Sequence, residues 1–507
     1  MSTETMTNQG TGSLIGKLGT WLMIIATIAL AFVVLVEVIN ILFYDPWSDE
    51  KFLFKLSGML SDVKIGPLTY IMFGSLAVLL MMGLPLAFVT GGLGVAFIYL
   101  VGDSMMLNII PSRIFPMMTN SDLAAIPLFI FMASMLERAG LIEEMFNVVY
   151  KWMGGLGGGL AIATILAAMV GVIGAAVVTM GIIALPAMLK RGYDQKIALG
   201  SIMAGGTLGI LIPPSILAIL YAVVAQQSVG ELYLGSVIPG LILAGLYVIY
   251  VATRAWLNPT LGPPVPEGER IGLKEKLRLL KDLIAPLFLV FLVLGLLFGG
   301  IATPVEAAGI GSFGAILVAM KHKVFSVATL RDASVTTAKA TAMVLWIMFG
   351  ASVFVGFYIL QGGQDFITET ILGIGLSPYA VLLLLMVLLV VLGMFLDWVG
   401  ILLLAVPIFI PIVEALEFPG LFGLPGVEGS DVVLWFGVLY LVNMQMSFLS
   451  PPFGYALFYI RGVCPPDITM GTIFKSSLVF LAIQAFGLFI CVLIPGVVTW
   501  LPNLVYG

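Results

Sequence analysis

Charged residues mark the elements of this chain by their absence. None lies between Lys64 and Asp103, Lys151 and Lys190, Lys196 and Glu231, or Glu231 and Arg254. The second half repeats the pattern from Asp282 to Glu306, Lys339 to Asp365, Glu369 to Asp397, Asp431 to Arg461, and beyond Lys475. A helix crosses the hydrocarbon core with ~20 apolar residues, so the longest gaps must hold two spans, a helical hairpin, or a helix broken at mid-membrane. Breaks are expected at Gly83-Leu84-Pro85, in the glycines of 154–159, and at Pro213-Pro214. A further apolar run, 22–43, is too long for a signal-peptide core and reads as a retained transmembrane helix with Glu37 inside it.

Composition sharpens this picture. Of 507 residues, 61% are hydrophobic and 10% charged, with a mean hydropathy of +1.16. A soluble domain carries about 25% charge, so a soluble enzyme, a nucleic-acid binder and a disordered scaffold are all excluded. Long unbroken apolar runs, rather than short alternating ones, also exclude an outer-membrane barrel. The expected class is an all-α polytopic membrane protein.

Orientation follows from lysine and arginine. The segments 190–196, 254–281 and 321–331 are basic and should face the cytoplasm, whereas 226–231 has no base and should face outward. Leu273, Leu277 and Leu280 recur at helical spacing opposite lysines and arginines, the pattern of a helix lying in the cytoplasmic interface. The resulting division is an extra helix and loop at 1–65, a first half at 66–253, a linker at 254–282 and a second half at 283–507. The sole histidine, His322, lies between Lys321 and Lys323 and reads as a solvated loop residue. Cys464 and Cys491 have neither disulfide-framework nor zinc spacing.

Each half carries a Pro-Pro pair in apolar sequence: GGTLGILIPPS at 205–215 and NMQMSFLSPPFG at 443–454. Paired interruptions at corresponding places are the sequence sign of a repeat-built secondary transporter. Two prolines in succession break a helix, and the freed carbonyls, those of Gly206, Gly209 and Ile212 among them, would each cost several kcal/mol in hydrocarbon. Pointed at a small cation they become ligands. The Thr207 and Ser215 hydroxyls add hard oxygens, and amides of the half-helix beyond Pro214 suit an anionic group. The second interruption offers the Ser447 and Ser450 hydroxyls, the Asn443 and Gln445 amides, and the carbonyls before Pro451. Asp397 sits between long apolar runs and is either functional, a carboxylate at a helix end near the interface, or the cap of a broken helix. Glu306, after Thr303-Pro304, reads as a structural residue in the first turn of a helix. The segment 418–431 looks like an insertion in the second half. The glycines at 154–159 lack the Lys-Ser/Thr of a nucleotide-binding loop, so an ion gradient is the natural energy source. A membrane enzyme would need a suitably placed histidine, cysteine pair or acid pair, and a channel would need rings from a short oligomerising segment.

At these motifs the chain resembles the large membrane subunit of tripartite ATP-independent periplasmic (TRAP) transporters, from about residue 67 onward. The stretches AIPLFIFM at 125–132, GGTLGILIPPS, 300–308, 393–397 and 435–462 carry the likeness, the last resembling the branch labelled mannitol/chloroaromatic. The resemblance implies two inverted repeats, each with a hairpin and a broken helix, forming a scaffold and an elevator-type transport domain in the bacterial inner membrane. It also implies sodium-coupled import of a small organic anion, with a small four-helix membrane subunit and a periplasmic substrate-binding protein as partners. No organic cofactor is implied; sodium ions are the coupling ions. Carried over by position, Gly209, Ile212 and Pro213 would offer carbonyls to one sodium and the Ser450-Pro451 region would serve the other; Gly174, Ala175, Gly206, Asp397, Ser447 and Leu449 complete the expected sodium ligands. Thr207, Pro214, Ser215, Ser450 and Pro452 would line the substrate site. Where many relatives have a serine-rich hairpin tip, this chain reads Ile173-Gly174-Ala175-Ala176, leaving only backbone contacts there. The alternative is a stand-alone sodium-coupled carboxylate carrier of the same architecture.

Overall fold

The computed structural model describes residues 63–102, 104–153, 155–168, 173–266, 270–394, 396–420, 422–452 and 454–507. The expected helix at 22–43, with Glu37, lies outside them. The chain divides into two compact units. One takes in the described residues up to Leu68 together with Ala96–Leu107, where Gly102 N–H closes a helix end on Ile98 O at 3.1 Å. The other comprises Thr69–Val95 and Asn108–Gly507 and contains both Pro-Pro pairs.

The described elements are helical, apart from one isolated bridge between Phe418 and Val427. In chain order they are α1 (Ile65–Met81), α2 (Leu86–Val101), α3 (Ile109–Met118), α4 (Ala125–Arg138), α5 (Leu141–Met153), α6 (Gly159–Ala168), α7 (Ile173–Lys190), α8 (Gln195–Leu208), α9 (Ile216–Ala225) and α10 (Val229–Leu257). Then follow α11 (Leu273–Phe298), α12 (Pro304–Lys321), α13 (Val327–Leu360), α14 (Gly363–Gly373), α15 (Pro378–Gly393), α16 (Trp398–Glu414), α17 (Asp431–Leu449), α18 (Tyr455–Val463), α19 (Met470–Leu493) and α20 (Gly496–Tyr506). Six of the described helices are long and apolar enough to span a bilayer, or up to eight if each bent pair is one span.

One order of elements occurs twice. A pair of helices (α6 and α7; α15 and α16) precedes a helix broken at its Pro-Pro pair (α8 and α9; α17 and α18), and a long helix comes next (α10; α19). In the second apolar gap α6 and α7 are separate helices, and Gly155, Gly157 and Gly158 lie between α5 and α6. The two halves interlock: α18 of the second packs on α7 of the first, and α9 of the first packs on α16 of the second. Beside them α4, α12, α13 and α11 pack together.

Lipid tails are as apolar as leucine, so close approach and hydrogen bonds hold such helices together more than burial does. A Cβ on Gly206 would collide with Val177 Cγ2, and one on Gly393 with Ser447 Cβ. Only glycine lets each broken helix lie this close to its own hairpin. Buried hydroxyls and ring N–H groups then pin elements across the interior. Tyr233 donates to Ser215 O (3.1 Å), Tyr221 to Val433 O (3.0 Å), Tyr440 to Trp398 O (3.4 Å) and Trp435 to Cys491 O (2.9 Å).

Three sequence readings gain detail. Thr303 and Glu306 form a reciprocal capping box at the start of α12, the structural role expected of Glu306. The leucines at 273, 277 and 280 are exposed, on a segment continuous with α11 but bent from its remainder by 49°. His322 departs from the solvated reading: its Nδ1 lies 2.8 Å from Glu144 Oε1 on α5. The pairing arises because α5 is strongly amphipathic, with buried Leu141, Met145 and Val148, and its first turn brings Glu144 to the end of α12.

Candidate functional site

The repeated elements converge on a cavity of about 930 Å³. The start of α7 contributes Ile173 and Gly174, and the start of α16 contributes Asp397 and Trp398. The first interruption supplies most of the stretch 209–217; Phe448 and Tyr455 flank the second. Phe129, Met132 and Glu137 of α4 and Trp346 of α13 line it as well.

Local chemistry explains the shape of the first interruption. Asp194 starts α8 by accepting from the backbone N–H groups of Lys196 and Ile197, and the helix runs until Pro213 and Pro214 remove two donors in succession. The last turns close with Ile210 N–H on Thr207 O (3.2 Å) and Ile212 N–H on Leu208 O (3.0 Å). Among the described residues, no backbone N–H reaches the carbonyls of Gly209, Ile210, Leu211 or Ile212. Ser215 then caps α9, its hydroxyl accepting from Ala218 N–H at 3.4 Å. The positive end of a new half-helix thus adjoins a cluster of free carbonyls. The Pro213-Pro214 and Pro451-Pro452 bonds are both cis.

The second interruption is closed at two of its four matching carbonyls: Ser447 O accepts from Ser450 N–H (3.3 Å), whereas no backbone N–H among the described residues reaches Phe448 O or Leu449 O. Ser450 O accepts from Gly454 N–H (3.0 Å), the Ser450 hydroxyl donates to Met446 O (2.8 Å), and the Ser447 hydroxyl donates to Asn443 O (3.4 Å). Asn443 Nδ2 holds Met386 O of α15 at 2.9 Å. Both heteroatoms of the fully buried Gln445 side chain lack partners among the described residues.

Of the residues anticipated from sequence, Gly174, Gly209, Ile212, Pro213, Pro214, Ser215 and Asp397 line the cavity. Ala175, Gly206, Thr207, Ser447, Leu449, Ser450, Pro451 and Pro452 are not among its lining residues. The Thr207 hydroxyl is engaged elsewhere, donating to Ala204 O (2.9 Å) and accepting from Gln484 Nε2 (3.1 Å). Asp397 combines two of its anticipated roles. Its side chain caps α16 by accepting from Val399 N–H at 3.3 Å, and the residue also lines the cavity, beside the Tyr455 hydroxyl.

Sequence reasoning passed over Glu137, Trp398, Tyr455 and Tyr459. The two tyrosines stand at i and i+4 on α18, with ring centroids 6.5 Å apart. That spacing directly after the Pro-Pro pair was a readable signal. Glu137 offered none, since next to Arg138 at a helix end it looks like an ordinary interfacial residue. The charge content of the lining is one-sided: Glu137 and Asp397 are present, and no lysine, arginine or histidine lines the cavity among the described residues.

Comparison with known proteins supplies a family. Residues 73–497 match the tripartite ATP-independent periplasmic transporter, DctM component. The C4-dicarboxylate TRAP transporter large permease protein DctM of Vibrio cholerae is 30% identical over 458 residues, spanning 85% of this chain and 96% of that protein. The isethionate TRAP transporter permease protein DctMQ of Oleidesulfovibrio alaskensis is 31% identical, over 84% of this chain and 65% of that protein. The sialic acid TRAP transporter large permease protein SiaM of Vibrio cholerae is 28% identical, over 85% and 97%. Among solved structures, the YdaH transporter of Alcanivorax borkumensis shares the fold with a TM-score of 0.54 at 15% identity, over 82% of this chain and 97% of that one. MtrF of Neisseria gonorrhoeae does so with a TM-score of 0.56 at 12% identity, over 77% and 84%.

Proposed function

The chain belongs to the DctM-component family of TRAP transporters, a multi-pass bacterial inner-membrane transporter subunit rather than an enzyme, and from that premise we propose that it imports a small organic anion together with sodium. The relatives named for a C4-dicarboxylate, for isethionate and for sialic acid point to a substrate carrying an anionic head. A small membrane subunit and a periplasmic substrate-binding protein complete the transporter in this reading.

The observation that carries the proposal is the one-sided charge of the cavity. An anion entering a low-dielectric site beside two carboxylates and no base meets repulsion unless cations accompany it. The donorless carbonyls of Gly209 to Ile212, Asp397, and the backbone at Gly174 are hard oxygen donors of the kind a small cation takes. The free N–H groups at the start of α9, with Ser215, face the anionic head. Phe448 and Tyr455 add apolar walls that orient the rest of the molecule. The hairpins and broken helices would travel together as a transport domain against α4, α11, α12 and α13, in elevator fashion.

Uptake into proteoliposomes tests this directly. Transport should require external sodium and the cognate binding protein. Sodium-dependent uptake that persists without any binding protein would favour the stand-alone carrier instead, and uptake indifferent to sodium would end the coupling proposal.

A further inference from the structure

Thr207, Gln484 and Tyr247 come from three different helices, α8, α19 and α10, and all three are fully buried. Gln484 Nε2 donates to Thr207 Oγ1 at 3.1 Å across 277 residues of sequence, while Thr207 Oγ1 donates to Ala204 O at 2.9 Å. The Tyr247 hydroxyl lies beside both side chains. The cluster lies in apolar packing; the Tyr247 hydroxyl and Gln484 Oε1 make no hydrogen bond among the described residues, so the bond from Gln484 Nε2 to Thr207 is the one that ties it together.

Its place along the chain gives it significance. Thr207 O takes the N–H of Ile210 at 3.2 Å, one of the last bonds before the four donorless carbonyls. Thr207 therefore sits in the last turn of α8, one residue before its end at Leu208, and Gln484 grips it there by the side chain. The helices that carry Tyr247 and Gln484, α10 and α19, are those that come after the two interruptions. A rotation of the Thr207 turn would re-aim every carbonyl from Gly209 to Ile212, because they lie between it and the next cap at Ser215.

We infer that Gln484 is a positioning residue for the first interruption, acting through the Thr207 hydroxyl to fix the direction of the carbonyls that receive sodium. Thr207 is then no ligand of substrate or ion, since its hydrogen and one lone pair are already committed. A neutral amide fits this role because it supplies a donor without adding charge to a site that must bind a cation and an anion together. The inference rests on the sodium coupling proposed above.

The test compares Thr207→Val, Thr207→Ser, Gln484→Leu and the Val/Leu double variant of the full chain, reconstituted with its partners. Thr207→Val and Gln484→Leu should each raise the sodium concentration for half-maximal uptake about fivefold, with the maximal rate within about twofold of the parent. Thr207→Ser should restore the parent value, and the double variant should be no worse than the more impaired single, since both single variants remove the same Gln484–Thr207 bond. Half-saturating sodium unchanged in both single variants, or effects that multiply in the double, would overturn the inference. If Gln484→Leu is not recovered in the membrane, the Thr207→Val and Thr207→Ser pair decides alone, because valine keeps the shape of threonine. Parent uptake that ignores sodium would instead remove the coupling proposal, and this inference with it.

Discussion

In the first interruption four successive carbonyls have no donor among the described residues, and most of the stretch faces the cavity. In the second, at the same register to its Pro-Pro pair, Ser447 O and Ser450 O are taken by the N–H groups of Ser450 and Gly454, both serine hydroxyls bond back to their own helix, and among the described residues Phe448, Tyr455 and Tyr459 reach the cavity. Part of the difference lies downstream of the prolines, where Gly454 N–H closes on Ser450 O while no N–H among the described residues reaches Ile212 O. The rest lies in the side chains: the Ser450 and Ser447 hydroxyls claim the carbonyls of Met446 and Asn443 one turn back, which Ile212 and Gly209 at the matching positions cannot do. Two segments built on one plan thus present different surfaces: an open set of oxygens in the first and a braced, aromatic-flanked turn in the second.

The strongest way to break this comparison is Gly209→Val. A branched side chain among the donorless carbonyls displaces them, and misplacement on the order of 1 Å can cost about 100-fold. Uptake should fall by that much while insertion survives, and near-normal uptake would remove the first interruption as the cation site. Next comes Asp397→Asn. Asparagine caps a helix about as well as aspartate, so thermal stability should hold. Half-saturating sodium should rise roughly tenfold, equivalent to about 1.4 kcal/mol of lost attraction; an unchanged titration would leave Asp397 a cap alone.

Smaller effects sharpen the contrast. Ser450→Ala removes one helix-internal hydrogen bond, worth ~1 kcal/mol or less, and uptake should drop by no more than about threefold. A loss as deep as that from Gly209→Val would mean that the second interruption binds its ligand through that hydroxyl. Thr303→Ala removes half of the capping box and should cost ~1 kcal/mol of stability in a denaturation assay. Its sodium titration should stay where it is, because the box lies at the start of α12, away from the cavity lining.

Much of the fold was legible because its signals are local. Charge-free gaps located the helices, Pro213-Pro214 and Pro451-Pro452 located the two breaks, and Thr303-Pro304-Val305-Glu306 announced its own cap. Gly174, Gly209, Asp397 and the residues from Ile212 to Ser215 meet in one cavity for the same reason: glycine and proline shape the chain where they stand. Partnerships across the chain were not legible. Nothing near Thr207 points to Gln484, and nothing near His322 points to Glu144, 178 residues away. Glu137 is the plainest case, a carboxylate at a helix end that reaches the cavity only because α4 packs beside α12 and α13.

The absence of any base in the described cavity lining has an electrical consequence. Emptied of its passengers, a site holding a carboxylate at Asp397 carries net negative charge. In a carrier whose site moves, that charge senses the voltage across the membrane, worth ~2.3 kcal/mol per elementary charge for each 100 mV traversed. In the elevator motion proposed above, an interior-negative potential would push the vacant site outward. The potential would then act on the return stroke, resetting the transporter toward the face where the next passenger waits.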